Sequence, residues 1–300
     1  MQTIKVETGG ERLDIFLARY FGGTHTRSQL TNAIKGAKIT LNGQKAKSGE
    51  TLRAGDIIEI GSLDAEITHD IAEQLPLDIV YEDAHLLIIN KPRGMVVHPG
   101  AGNRRGTLLN ALLGHADNDP SLERAGIVHR LDKNTAGLML AAKTPAAQAK
   151  LCEMFVRHEV NRTYMGLVEG VLDTNGTVNA NIARDERNRT LYKTVMGKGR
   201  RAITHYRVIQ QFPRHTLAEF TLETGRTHQI RVHCKSIGHP IVGDPEYNPK
   251  SSIAARGQLL ESVRLEFIHP ITHARIVREI PLTAEFSGII AKLQTKSPSV

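Results

Sequence analysis

The charge of this 300-residue chain reverses along its length, and the reversal divides it. From Arg27 to Arg53 there are six basic residues and a single acid, Glu50. From Ser62 to Leu75 the balance inverts, with Asp64, Glu66, Asp70 and Glu73 and no Lys or Arg. A second basic block, Arg184 to Arg214, holds nine basic residues against Asp185 and Glu186. The acidic stretch reads as a linker, where few contacts cross. The expected division is therefore a module over residues 1–62, a linker over 63–75 and a second domain over 76–300. With 40% hydrophobic residues, both parts have the apolar mass for a core. The net charge of +8 gives the two basic blocks the character of contact surfaces for one polyanion.

Several classes of protein are excluded. No stretch approaches the ~18 apolar residues of a membrane span. The opening MQTIKVETGG lacks the apolar core of a secretory signal, so neither a leader nor a membrane partner is expected. Cys152 and Cys234 are the only cysteines and form no CxxC pair. That rules out a disulfide scaffold and a cysteine zinc knuckle, and it fits a reducing, cytoplasmic setting. Aromatics are 4% of the chain and Trp is absent, so a broad stacking platform for single strands is not expected.

The first sixty residues read as a small α/β module. Leu13, Phe16, Leu17 and Tyr20 share one helical face, and Gly22-Gly23 end it. A second helix is expected from an N-cap at Thr26, burying Leu30, Ala33, Ile34 and Ala37. Asn42-Gly43 then marks a hairpin, since a type I′ turn needs φ > 0 at both positions. A last strand runs over Asp56–Ile60. No catalytic constellation is visible here, but Arg27, Lys35 and Lys38 lie on or beside the second helix, where they can follow phosphates without reading bases. RLDIFLARYF, TRSQLTNAIKGAKITLNGQ and LRAGDIIEI together resemble the S-four RNA-binding domain over residues 11–60. The resemblance makes Arg27, Lys35, Lys38 and Lys45 candidate RNA contacts.

Beyond Leu77, runs at 77–81 and 86–89 flank Glu82-Asp83-Ala84 as a hairpin. Leu138–Ala142, Tyr164–Val168, Ala202–Ile209 and Leu217–Thr221 are further strands. Thr144-Pro145 opens a helix with Ala147, Leu151, Met154 and Phe155 on its apolar face. Strands and helices without a regular βα repeat argue for an α+β fold with a mixed, mainly antiparallel sheet and flanking helices.

Three polar segments lie between apolar anchors: Gly126–Leu138, Asn161–Tyr164 and Gly225–His233. In the first, Ile127-Val128 leads in and Leu138-Met139-Leu140 leads out, which holds a carboxylate at Asp132 in place. On the residues alone, this is either a reactive-carboxylate loop or an Asp capping a solvated turn. HRLDKN is not the kinase catalytic loop, whose order is HRDLxxxN and which needs a DFG and a Gly-rich loop. His228 and His233 are five apart, about 140° round the helix that Thr227 is expected to cap, so they do not pair on a zinc ion. A GxSxG elbow and a GxxxxGK[ST] phosphate loop are both absent.

The segments together resemble one family. GIVHRLDKNTAGL and GRTHQIRVH with GHPIVGD are similar to the signatures of the RluA-type pseudouridine synthases. NKPRGMVVHPG and the S-four module resemble the RluD-like branch most. The likeness spans about residues 11–285 and implies a catalytic domain with a central cleft. It assigns Asp132 the essential carboxylate, Arg231 its basic partner and Tyr164 the wall against the uracil. Arg130 fills the place of the extruded base, Ile230 lines the base pocket, and His129 and Thr135 brace the loop. Two places depart from the family pattern: Asn134-Thr135-Ala136-Gly137, and Gln258-Leu259-Leu260-Glu261-Ser262. The implied activity is conversion of uridine to pseudouridine in RNA without cofactor or metal, because isomerisation needs neither redox nor group transfer. The implied substrate is a stem-loop of 23S ribosomal RNA at the subunit interface, on the large subunit or its precursor, with the protein acting as a monomer. Another 23S site, a tRNA, or a non-catalytic role in ribosome assembly would suit the same motifs.

Overall fold

The computed structural model describes residues 2–22, 25, 27–63, 71–100, 102–115, 119 and 121–295, without the side chains of residues 27–29. The chain separates into two compact units, Met1–Thr68 and His69–Val300.

In the first unit, β1 (Gln2–Lys5) precedes the helices α1 (Leu13–Tyr20) and α2 (Arg27–Lys35). β2 (Ile39–Leu41), β3 (Gln44–Lys45) and β4 (Ile57–Ile60) follow, and the sheet order is β1-β4-β2-β3. Leu13, Leu17, Leu30, Ile34, Ile39 and Ile58 form its core. Tyr20 differs from the expected helix face: it is exposed, because α1 has only one turn-to-turn stripe covered by α2 and the sheet. Ala37 also differs. It lies beyond the helix end at φ 56° and is exposed. Thr26 and Gly23 lie outside the described residues. Asn42 (φ 53°) and Gly43 (φ 73°) turn the β2–β3 hairpin as a type I′ turn requires.

The second unit opens with the hairpin β5 (Ile79–Glu82) and β6 (Leu86–Lys91), then α3 (Leu108–Gly114). β7 (Ala136–Ala142), α4 (Pro145–Val156) and β8 (Asn161–Glu169) follow. Next come β9 (Gly176–Asn179), β10 (Asn181–Arg184), β11 (Tyr192–Val195), β12 (Ile203–Phe212) and β13 (His215–Leu222). The chain closes with α5 (Gln229–Ser236), β14 (Leu260–Ile268), β15 (Arg275–Glu279) and α6 (Ala284–Thr295). Nine strands make one sheet, β5-β6-β7-β14-β8-β13-β12-β9, with β15 also paired to β14. Among the described residues only β7 and β14 run parallel, so the sheet is mixed and mainly antiparallel. β10 and β11 form a separate two-stranded hairpin.

Both faces of the central strands are buried. Leu87, Ile89, Met139 and Ala141 join the core that includes α3 and α5, while Leu86, Ile88, Leu138 and Leu140 join the one covered by α4. Strands covered on both sides read as unbroken apolar runs, which is why β6 and β7 carry no polar alternation. Thr144 caps α4 by accepting the Ala147 N–H, with Pro145 at the first helical position.

The sheet's middle positions the cleft. β14 pairs with β7 only at Glu261 and Ser262, then with β15 from Arg264 onward. On its other edge Ser262 pairs with Tyr164 of β8. The loop entering β7 thus ends one strand away from Tyr164.

Candidate active site

Glycines bound the Asp132 loop where no side chain fits. Gly126 has φ 80°, and a Cβ there would meet the Ala142 carbonyl oxygen at 2.0 Å. Gly137 has φ 112°, and its Cβ would meet the Ser262 oxygen at 2.2 Å. Both ends of the loop therefore press directly on strand backbone.

Between those ends the loop is held from below by Lys91, the last residue of β6, which is fully buried. Its Nζ donates to the carbonyls of Pro92 (2.9 Å), Met95 (3.0 Å) and Lys133 (3.2 Å), matching the three N–H bonds of an ammonium. Burial pushes its pKa down to about 7, with the Asp132 charge pulling the other way. Arg93 donates to the Asn134 carbonyl at 3.0 Å, to the Gln258 carbonyl at 2.5 Å and to Glu261 at 3.2 Å. Gln258 Nε2 donates to Thr135 Oγ1 at 3.1 Å. The two departures from the family pattern thus meet each other: Asn134 and Thr135 are tied through Arg93 and Gln258 to Glu261.

Asp132 faces α5. Arg231 Nη1 donates to its Oδ2 at 3.0 Å. The larger share of Arg231's bonding goes elsewhere, to Asp244 Oδ2 at 2.7 Å, Asp244 Oδ1 at 2.8 Å and Glu246 Oε2 at 2.6 Å. Arg231 and Asp244 are both buried. Asp244 Oδ1 also accepts the N–H groups of Glu246 and Tyr247, each at 3.0 Å. The Tyr247 ring lies 4.8 Å from the guanidinium. Burial alone would lower the Arg231 pKa, but the Asp244 bonds and the Asp132 charge overcome it and raise it. One permanent cation is thereby shared among three carboxylates.

α5 begins differently from its expected form. The expected cap at Thr227 is absent. His228 is the N-cap, left-handed at φ 57°, and makes no side-chain cap bond. The left-handed turn leaves Thr227 lining the open cleft and brings His228 Nε2 to 3.8 Å from Asp132 Oδ1. Burial lowers the His228 pKa, opposed by Asp132. Among the described residues no group of three or more His, Cys, Asp and Glu is arranged to hold a metal ion.

Arg130, Asp132, Thr135, Tyr164, Ile230 and Arg231 line one narrow cavity of about 60 Å³. It adjoins a cleft of about 590 Å³ that shares Arg130, Asp132 and Tyr164. Arg130 is exposed at the lip, whereas Thr135, Tyr164 and Ile230 are buried. Burial raises the Tyr164 pKa, and Asp132 adds to the rise against Arg162. His129 stands apart from the narrow cavity and lines only the wider cleft. Its Nε2 accepts the Leu140 N–H at 2.8 Å and its ring stacks on Phe155 at 4.6 Å. Burial pushes its pKa down to about 3, which keeps that acceptor lone pair free. Lys35, Lys38 and Lys45 are exposed in the first unit, while the Arg27 side chain lies outside the described residues.

Sequence reasoning quoted NKPRG and GHPIVGD but missed the work of Lys91, Arg93, Asp244 and Tyr247. A lysine closing the apolar run Leu86–Ile89, two residues past its end, was the available signal for Lys91. Asp244 had a similar one, an acid directly after the apolar pair Ile241-Val242 and a glycine.

The chain is similar to known proteins along most of its length. The family described as RNA pseudouridylate synthase matches residues 85–236, and the S4 domain matches residues 11–58. The ribosomal large subunit pseudouridine synthase D of Xanthomonas campestris pv. campestris is 42% identical over 301 residues, covering 96% of this chain and 90% of that one. The "uncharacterized RNA pseudouridine synthase YlyB" of Bacillus subtilis is 40% identical over 296 residues, with 97% of each chain covered. In fold, the chain is similar to human RNA pseudouridylate synthase domain containing 4, with a TM-score of 0.57 at 22% identity, over 72% of this chain and 92% of that one.

Proposed function

The chain belongs to the RNA pseudouridylate synthase family, an isomerase family, and from that premise we propose that it modifies uridines of large-subunit ribosomal RNA with Asp132 as the reacting carboxylate. One observation carries the assignment of the residue: Asp132 is a carboxylate on an anchored loop, 3.0 Å from a buried guanidinium and in one cavity with Tyr164. Isomerisation breaks the N1–C1′ bond, turns the uracil and joins C5 to C1′. An anionic carboxylate beside the ribose serves both routes, attack at C1′ or removal of a ribose proton.

The other residues take roles around it. Arg231 orients Asp132 and balances its charge. Tyr164 lies against the detached uracil, and Ile230 closes the apolar side of the pocket. Arg130 at the lip occupies the space the target base leaves. His129 and Thr135 brace the loop. Extruding the base costs a few kcal/mol, least in an unpaired loop, and phosphate contacts offset it. Arg27, Lys35, Lys38 and Lys45 supply such contacts from a domain spanning residues 1–62, joined through the linker 63–75 to a catalytic domain over 76–300.

The name of the Xanthomonas relative supports the large subunit as substrate. Within it, the target is the 23S stem-loop at the subunit interface, reached by a monomer in the cytoplasm on the subunit or its precursor. The test is to map pseudouridines in ribosomal RNA from cells with and without the gene. Loss of the interface-loop pseudouridines is the expected result. If those remain and pseudouridine disappears instead from another 23S site or from tRNA, the substrate is misassigned although the enzyme class stands.

A further inference from the structure

Between the β10–β11 hairpin and the turn at Gly225–Thr227 lies a cavity of about 380 Å³ that the catalytic reading leaves unused. Arg184, Arg200 and Arg226 line it with the Tyr192 ring, and no acidic side chain is among its lining residues. The Arg184 guanidinium lies 5.6 Å from the centre of that ring. The volume falls in the range of small-ligand sites. Guanidinium groups beside an aromatic face suit a phosphodiester with its base. Arg226 also lines the narrow cavity and the wide cleft at Asp132. A strand whose target base is at Asp132 therefore has this second cavity within reach of its next nucleotides.

The hairpin is also wired to the carboxylate. The Tyr192 backbone N–H donates to the Tyr247 hydroxyl at 2.9 Å. The same hydroxyl lies 2.9 Å from His228 Nδ1. Tyr192 uses an acceptor lone pair, so the phenol proton is available to His228 Nδ1, and Nε2 then carries its hydrogen toward Asp132, 3.8 Å away. Tyr247 meanwhile holds its ring against Arg231. The half-buried Tyr192 packs against a small buried cluster of Ile182, Val232 and Tyr247, which keeps hairpin and α5 in register.

We propose that this cavity is a second nucleotide subsite, taking a nucleotide next to the target uridine with its base on Tyr192 and its phosphate on Arg200 and Arg226. Its occupancy is felt at Asp132 through the positioning residues Tyr247 and His228. The inference rests on the reading of Asp132 as the reacting carboxylate.

The experiment uses the full-length protein and stem-loop RNAs carrying one abasic nucleotide at each of the two positions on either side of the target. Single-turnover rate and affinity are measured for each RNA. With the unaltered protein, one abasic position is expected to slow the reaction about tenfold, the scale of a lost base–aromatic stack. In Tyr192→Ala the same position should matter less than about twofold, because the stack is already gone. Should that variant fold poorly, Arg184→Ala/Arg200→Ala provides the second arm: weaker binding and a salt dependence shallower by about one phosphate. Tyr247→Phe keeps the ring on Arg231 and loses the hydroxyl. It should bind intact RNA within about threefold yet react at one reduced rate with intact and abasic RNA alike.

Equal rates for all abasic RNAs with the unaltered protein would overturn the subsite. So would an abasic effect undiminished in Tyr192→Ala and in the double arginine variant. Full discrimination by Tyr247→Phe would overturn the coupling. Asp132→Asn separates the underlying reading: if it turns over, the catalytic assignment fails whatever the abasic scan gives.

Discussion

Around Asp132, the cations Lys91, Arg93 and Arg231 are 0%, 12% and 3% exposed, and each is bonded to protein carbonyls or carboxylates. In the β10–β11 hairpin and its flanks, Arg184, Arg187, Arg189 and Arg200 are all exposed. The residue types are the same and the uses are opposite. A buried cation must be matched by protein acceptors, so it organises the chain. An exposed one keeps its donors for water or for a polyanion, so it organises the ligand. Local sequence does not separate the two groups, since Arg130 and Lys133 lie within two residues of Asp132 while its bonded partner is Arg231, ninety-nine residues away.

The comparison can be broken at four points. The largest effect is expected for Asp132→Asn, which should slow isomerisation by at least about a thousandfold while RNA affinity stays within a few fold. Pseudouridine formation and filter binding measure the two, and an equal fall in both would make Asp132 structural. Next is the Arg231 hub. Arg231→Met and Asp244→Asn should each destabilise by about 3–5 kcal/mol in denaturant unfolding, since either leaves buried charge without its partner. Asp244 makes two of the arginine's bonds, so a mild Asp244→Asn would show that Asp132 carries the pair instead.

Lys91→Met should cost about 2–3 kcal/mol by stranding buried carbonyls. It also carries a pH signature. The native pKa of about 7 lies below the ordinary 10.5, so between those values the unfolded chain holds a proton that the folded chain has released. Lys91's contribution therefore rises with pH across that window, by at most about 1.4 kcal/mol per unit. Urea unfolding at pH 7.5 and 9.5 should lose that slope in the variant. The smallest effect on the protein itself belongs to the hairpin. Arg187→Ala/Arg189→Ala should change stability by less than about 0.5 kcal/mol yet flatten the salt dependence of RNA binding by one to two phosphates. A large stability loss there would erase the distinction between the two regions.

Much of the scaffold was legible because it rests on local patterns. The Thr144-Pro145 cap, the Asn42-Gly43 turn and the apolar runs of β6, β7, β8 and β13 all follow from short-range sterics and period. β10, β11, β14 and β15 were not read. β10 and β11 are four residues each with no clear alternation of apolar and polar residues, and β14 begins among Gln258, Glu261 and Ser262, which read as loop until their partners are known. The Glu261 carboxylate is buried against Arg93 and Thr283, and the Gln258 amide donates to Thr135, all from distant segments.

The sequence by itself determined the family, the two kinds of module and the residue types for the chemistry, since motif letters and periodicity are properties of neighbours along the chain. Tertiary structure alone decided that Arg231 serves Asp244 and Glu246 as well as Asp132, that Lys91 carries the aspartate loop, and that His228 turns left-handed to face the carboxylate. The physical reason is desolvation. A charge taken from water accepts whichever partners the fold brings within about 3 Å, and those partners come from strands and turns that meet only when the sheet has closed.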